Sequence, residues 1–571
     1  MIKTQKKYID YLEVVTDQLQ NINIDTSRYK DYILKIKNTE LIVPVVGGFS
    51  AGKSTLINHY LGDEILSTSL TPETALATEL RYSSKNYIQA IKSDESFDIF
   101  ELNQSNEIKD NAAKYKYLKL YLNNDKLKLI EPLVLVDMPG FDSPLELHNH
   151  AILNYLNKGI YFVVLTSIED GNLTKSTLRE LQNMVEFGKD FSFCLSKSNL
   201  RSENDVRDVE EKINSQLEDY FDFDKKVIPL YQNGGNELEK ILTSINTEEL
   251  FEKIFKQDLK YNYLEIESSI NTIISTLKVS KEEVANALIE LKNSIKKIIS
   301  KKESMIEEAQ SKYSNNSVDS IIEAVSRELL INQDSLVQMA LSNKEGFSRE
   351  LNDIVKNTMI YQVKSKLNEA SDDIIKDFSI EIRDIGASLS SFNFGDNWVN
   401  TISESTTNLL RNAQNGLNTL IESRKKQNED NGKVYKSITA TLAITSELIH
   451  PVLEVVILFL PEIIAFFSAK SQEAKMKQEM YNKFSSQIIP SIKTKLRGEL
   501  PSIFTSQINS IIETISEKFE EQLQQKEIEI AKTQEEKQND IKEIEIKLTK
   551  LEETKQKIKQ TATNTLYEGI K

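Results

Sequence analysis

A lysine and a serine, Lys53 and Ser54, close the string Gly47-Gly48-Phe49-Ser50-Ala51-Gly52-Lys53-Ser54-Thr55. Gly47, Gly52, Lys53 and Ser54 stand in the register G-x-x-x-x-G-K-[ST], the pattern of a phosphate-binding loop. Each residue type has a task in that chemistry. The glycines let backbone N–H groups crowd a polyphosphate at a helix N-terminus, where the dipole favours anions. Lys53 reaches the β- and γ-phosphates, and the Ser54 hydroxyl completes a Mg2+ shell. A second acidic group lies downstream. Leu133-Val134-Leu135-Val136-Asp137-Met138-Pro139-Gly140 is an apolar run ending in D-x-P-G, about 85 residues after Gly52. Asp137 at its end is suited to hold a Mg2+ water, and the Gly140 N–H to meet a γ-phosphate, contacts that collapse when that phosphate leaves.

Both groups need strand ends to position them. Leu41–Val46 reads as a short buried strand before the loop, and Thr55-Leu56-Ile57-Asn58 opens a helical pattern after it. Further strands are predicted at Tyr87–Ile91, Leu127–Asp137, Tyr161–Thr166, Phe191–Leu195 and Lys226–Leu230. Short apolar runs alternating with amphipathic stretches over 41–250 are the signature of an α/β unit with a mostly parallel sheet. Residues 1–40 carry Ile9, Leu12, Val15 and Leu19 at helical spacing, which predicts an N-terminal helix outside that unit. After Leu250 the strand signal vanishes. Residues 251–436 are helical, with breaks at Tyr313–Ser317 and Gly386–Asp396, each read as an inter-helix turn or a hinge. Residues 470–571 return to long charged helix, dense in Glu and Lys from Glu517 to Lys559. Irregular apolar spacing there fits the solvated face of a helical bundle better than a coiled coil.

Composition narrows the classes. At 571 residues the chain exceeds one core and predicts about three units at roughly 150 residues each. Only 17 glycines and 10 prolines argue against an all-β or loop-rich architecture. The single cysteine, Cys194, excludes a disulfide framework; its apolar run, Phe191 to Leu195, reads as core rather than as a nucleophile's setting. A net charge of −16 disfavours nucleic acid, which needs a basic face. His148 and His150 read as loop residues, and no H-E-x-x-H or C-x-x-C pattern supports a transition-metal site. The N-terminus, Met1 to Lys7, lacks an apolar signal core, so the cytoplasm is the expected location.

One segment departs from this picture. Residues 437–469 are strongly apolar, and their only acids are Glu447, Glu454 and Glu462. The longest stretch without an ionisable side chain is Ser437–Ser446, well short of the ~18 residues expected of a span. Pro451 and Pro461 divide it further. Five basic and two acidic residues precede it between Arg424 and Lys436, and four basic and two acidic follow between Lys470 and Lys483. An apolar tip with a basic collar suits an interfacial hairpin on an anionic membrane surface, peripheral rather than spanning. A buried helical hairpin or a partner's docking site are the alternatives.

The doubled glycine and internal serine of the loop, the segment Thr71-Pro72-Glu73-Thr74-Ala75-Leu76-Ala77-Thr78-Glu79-Leu80, and Asp137-Met138-Pro139-Gly140 together resemble the dynamin superfamily, particularly bacterial dynamin-like proteins. The resemblance is sharp over 45–200 and architectural beyond. It implies an α/β GTPase head at 41–250, a neck helix at 1–40, a helical neck and trunk at 251–436, a paddle-like apolar tip at 437–469 and returning helices at 470–571. It implies GTP as substrate, Mg2+ as cofactor, and coupling of nucleotide state to self-assembly and membrane remodelling. The phosphates would sit against Gly48, Phe49, Ser50, Ala51, Gly52, Lys53, Ser54 and Thr55. Ser50 would handle charge at the β–γ bridge, while Phe49 stands where the family often has glutamine. Thr74 would order on Mg2+ with Ser54 and, through water, Asp137, and would position the attacking water; Thr71 and Thr78 compete for that role. The family's T-K-x-D appears as Ser196-Lys197-Ser198-Asn199. Lys197 can pack its stem on the base, but Asn199 lacks the carboxylate that accepts from the guanine N1 and N2 edge, which predicts weakened guanine selectivity or low affinity. Phe141 and Asp142 follow Gly140 and supply no glutamine-type water positioner, so isolated hydrolysis should be slow and rise on homotypic or heterotypic head-to-head assembly. Two further readings stay open: a GTPase that assembles with a partner dynamin-like protein without lipid contact, and a degenerate nucleotide-binding scaffold.

Overall fold

The computed structural model describes residues 1–66, 76–140, 151, 155–156, 158–231, 234–342, 344–389, 392–394, 398–414, 473–536 and 541–567. Thr71, Thr74, Phe141, Asp142, the two loop histidines and the whole apolar segment 437–469 lie outside these residues.

The sheet has nine strands: β1 (Leu41–Gly47), β2 (Thr78–Tyr82), β3 (Tyr87–Ile91), β4 (Phe97–Phe100), β5 (Tyr117–Leu122), β6 (Leu133–Asp137), β7 (Tyr161–Ser167), β8 (Asp190–Ser196) and β9 (Ile228–Pro229). Their order is β4-β3-β5-β2-β6-β1-β7-β8-β9. The run from β6 through β1, β7 and β8 to β9 is entirely parallel; β2 joins it antiparallel to β6 and pairs in parallel with β5. The strands β3 and β4 extend the sheet antiparallel to an exposed edge. A parallel sheet needs cover on both faces, so its strands read as continuous apolar runs. Strand β1 shows this: Leu41, Val43 and Val45 enter one core while Val46 enters the other.

Several of the expected strands have other bounds in the structure, and β1 and β7 each run one residue further, to Gly47 and Ser167. The predicted run Leu127–Asp137 is strand only from Leu133; Asp125–Leu129 is a helical turn, because the Asn124 side chain accepts from the N–H groups of Lys126 and Leu127 and caps it. Strand β9 is reduced to two residues, and β8 begins one residue earlier than expected. Strands β2, β4 and β5 were not anticipated.

Helices carry the rest of the described chain. Residues 1–40 form two helices, Lys3–Gln20 and Ser27–Asn38, instead of one. Helix Lys3–Gln20 packs Tyr8, Leu12, Val15 and Leu19 against the long helix Thr247–Lys278 and the C-terminal helix Ile541–Leu566, in the core that also covers one face of the sheet. A separate core joins Lys281–Ala309, Asn315–Ile331, Lys344–Ser388, Trp398–Gln414 and Ile489–Glu536. The expected break at Tyr313–Ser317 is no turn: the chain widens to a π-helix over Gln310–Ser314 and continues as helix. Near Gly386 the long helix does end, at Ser388. The mostly parallel head with a long helical region matches the expected fold class. Among the described residues no helix is long and apolar enough to cross a membrane.

Candidate nucleotide site

The loop leaves β1 at Gly47 and enters helix Lys53–Leu61 through Gly52, whose backbone is left-handed (φ 87°, ψ 24°). That conformation is inexpensive only for glycine. It lets the loop turn back over the helix N-terminus, and the Leu56 N–H already bonds the Gly52 carbonyl at 2.9 Å. Lys53 is buried, and its ammonium donates to the carbonyls of Gly47 (3.1 Å) and Gly48 (2.8 Å). A cation is therefore held over the loop itself, where a polyphosphate would meet it. Ala51 is buried, whereas Ser50 and Thr55 are exposed and Phe49 is 50% exposed.

The end of β6 approaches from the adjacent strand. The β1–β6 register sets Val45 opposite Asp137, and the Ser54 hydroxyl donates to Asp137 Oδ2 at 2.6 Å. The second carboxylate oxygen, Oδ1, is buried without a hydrogen-bond partner among the described residues. Burial pushes the Asp137 carboxyl above its ordinary range, opposed by the Ser54 bond and the Lys53 charge. A hydroxyl and a carboxylate with an unused buried oxygen form a hard-oxygen donor pair that fits Mg2+. Gly140 closes the approach: a Cβ there would lie 2.6 Å from Phe49 Cα and 2.7 Å from Phe49 N. The loop and the D-x-P-G turn thus touch backbone to backbone.

Of the three threonines, only Thr78 is described. It opens β2, pairs across the sheet with Asp137, and donates its hydroxyl to the Leu76 carbonyl at 3.2 Å.

Two strands away, β8 delivers Ser196–Asn199 to the same end of the sheet. With β7 between β1 and β8, the two loops stand about 10 Å apart by strand spacing, a span a nucleoside can bridge. Lys197 is left-handed (φ 57°), Ser198 is fully buried with its hydroxyl on the Leu195 carbonyl, and Asn199 is exposed. The Lys197 ammonium bonds Glu169 Oε2 at 2.8 Å, a partner that motif reading missed. Its signal is topological: Ser167 at the end of β7 pairs with Ser196 at the end of β8. Cys194 is fully buried and burial pushes its thiol up to about 12, which fits core packing. No group of three or more metal-ligating side chains occurs among the described residues.

Part of the chain is similar in sequence to known proteins. The dynamin family pattern matches residues 43–198. Dynamin-like protein 2 of Campylobacter jejuni is 28% identical over 163 residues, covering 27% of this chain and 25% of that protein. A probable transmembrane GTPase, FZO-like, chloroplastic, of Arabidopsis thaliana is 27% identical over 183 residues, 32% of this chain and 17% of the relative. An uncharacterised Caldicellulosiruptor protein is 26% identical over 217 residues, 35% of this chain and 52% of its own. The chain thus spans about half or less of the curated relatives it matches. Among solved structures, an oligomerised bacterial dynamin pair described as sensing and tethering membranes aligns over 98% of this chain and 95% of that one, at 16% identity and TM-score 0.33. The LeoA bacterial dynamin GTPase from ETEC aligns over 98% of each chain, at 12% identity and TM-score 0.30.

Proposed function

Residues 43–198 being a dynamin-family domain, we propose that the protein is a dynamin-like GTPase that binds and hydrolyses GTP with Mg2+ and couples nucleotide state to self-assembly at a membrane surface. The observation that carries this reading is the convergence of Lys53, Ser54 and Asp137 on one loop whose far wall is Gly140. Mg2+ held by Ser54, Thr74 and, through water, Asp137 would neutralise charge on the β- and γ-phosphates. Lys53 exchanges its loop carbonyls for phosphate oxygens, the Gly140 N–H faces the γ-phosphate, and Ser50 stands at the β–γ bridge. Thr74 orients the attacking water. The test is steady-state GTP hydrolysis by wild type and Lys53→Ala. Wild-type turnover per molecule should rise with protein concentration and the variant should lose about 100-fold or more, the scale of removing a transition-state charge contact. Turnover that is flat with concentration would argue against assembly-stimulated hydrolysis.

The membrane contact is assigned to 437–469 on its apolar sequence and basic flanks. Liposome flotation with and without this segment tests it; flotation unchanged by its removal would favour assembly through a protein partner.

A further inference from the structure

Position 199 does not supply the carboxylate that would read a guanine edge, so the base must be held by something else. The corner between β7 and β8 contains a second built feature. Lys197 occupies the left-handed region with a full side chain, a conformation that costs roughly 1 kcal/mol for a non-glycine residue and persists only where surroundings over-determine it. They do so here: the Ser198 N–H bonds the Leu230 carbonyl at 3.1 Å, and the Ser198 hydroxyl bonds Leu195 O at 2.9 Å.

The partner is also held in place. Glu169 is the middle residue of a short 3-10 turn, Ile168–Asp170, whose cap is Ser167: the Glu169 N–H donates to Ser167 Oγ at 3.3 Å, and Asp170 Oδ2 accepts from the Ser167 N–H and the Thr166 hydroxyl. Asp170 is thereby committed to the end of β7, while Glu169 points its carboxylate at Lys197. That ion pair and the Ser167 hydroxyl hold the Glu169 carboxyl below its ordinary range. Both side chains keep an open side, 32% exposed for Lys197 and 53% for Glu169. A four-carbon stem, anchored at its backbone by a strained turn and at its tip by a carboxylate, is a preformed apolar bar.

We propose that Glu169 is a positioning residue for the nucleotide base: its ion pair with Lys197 fixes that side chain as the platform on which the purine ring packs. This rests on the nucleotide reading above and extends it. Stacking on a methylene stem is tolerant of the ring's edge substituents, so the platform serves GTP and ATP alike and compensates at Asn199 for the missing edge contact. Without Glu169 the stem must be ordered by the ligand itself, and the rotamer entropy is charged against binding.

Equilibrium competition against a fluorescent GTP analogue, with GTP, ATP and inorganic triphosphate as competitors, separates the parts. In the full-length chain, Glu169→Ala should weaken GTP and ATP by about three- to ten-fold, the scale of one exposed ion pair and the ordering it supplies. Triphosphate, which has no base to set on Lys197 and would meet only the phosphate end of the site, should compete as in wild type. Glu169→Asp should recover part of the loss, and added salt should narrow the gap between wild type and Glu169→Ala. Equal weakening of triphosphate would show that the change acts on the loop as a whole and would overturn the proposal, as would unchanged GTP and ATP affinity. The nucleotide reading fails differently: wild type and Lys53→Ala would bind GTP equally weakly, and the platform would fall with it.

Discussion

Asp137 is the residue on which the phosphate end of the site turns. Its Oδ2 is committed to Ser54, its Oδ1 is buried and has no partner among the described residues, and burial holds its carboxyl above the ordinary range. A raised carboxyl takes up a proton on acidification sooner than a free aspartate would. Since metal binding needs the ionised form, protonation of Asp137 should weaken apparent Mg2+·nucleotide affinity on acidification, in addition to the loss from protonating the nucleotide's own terminal phosphate. Asp137→Asn should remove the Asp137 part of this acid limb and lower turnover by about 100-fold; titrations of Mg2+ dependence from pH 7 to 4.5 check both, and an unchanged acid limb in the variant would sink the assignment. Lys53, Ser54 and Asp137 were legible in the sequence because the motif fixes their chemistry by adjacency to a strand and a helix. Glu169 was not, since it meets Lys197 only through the β7–β8 register, 28 positions away. Thr74 remains an assignment by motif.

At the scale of elements, the close contact of two turns matters more than any single bond. Gly140 meets Phe49 Cα and N at distances that a Cβ would bring to 2.6 and 2.7 Å, and both atoms are backbone, which cannot rotate away. Gly140→Ala must therefore push the D-x-P-G turn off the phosphate loop. The expected cost is about 1–3 kcal/mol, typical of overpacking, read as a lowered Tm. Added Mg2+·GTP should stabilise the variant far less than wild type; equal stabilisation would show that the contact is not part of the site. The strands that build these turns were read from continuous apolar runs, and β1, β3 and β7 follow them closely. Strands β2, β4 and β5 escaped because charges interrupt their apolar runs, as Glu79 and Arg81 do in β2, Asp98 in β4 and Lys119 in β5, whereas β3 carries none. The false start at Leu127 had a local cause, the Asn124 cap, which outweighs the apolar pattern of the next residues.

The whole molecule is joined by polar contacts where the head helix Lys175–Glu186 meets the trunk helix Lys344–Ser388. Arg179 grips Glu350 with two bonds of 2.6 and 3.1 Å, Asn183 bonds Asn357, and the Lys364 ammonium bonds the Glu186 carbonyl at 2.7 Å. At the centre Lys356, 1% exposed, bridges Glu180 at 2.8 Å and Asp353 at 3.5 Å, with Ile360 as the apolar plug from the trunk into the head's core. One cation thus serves two carboxylates, and the arrangement predicts which of them is surplus. Burial, reinforced by Glu180 and Glu350 and opposed by Lys356 and Arg179, pushes Asp353 up to about 6. A carboxyl raised by folding penalises the folded state once it ionises, so the penalty is full above pH 6 and fades as pH falls toward the unfolded value near 4. Asp353→Asn should then raise stability at pH 7 by roughly 1–3 kcal/mol, and its advantage over wild type should shrink between pH 6 and 4. Lys356→Ala should do the opposite, costing about 3–5 kcal/mol by leaving Glu180 buried without its cation. Urea unfolding of both variants across pH 4 to 8, followed at the head–trunk contact by hydrogen exchange, distinguishes the two roles. Destabilisation by Asp353→Asn at neutral pH, with no convergence on acidification, would mean that Lys356 requires both carboxylates and that the junction is a balanced triad rather than a pair with a surplus charge.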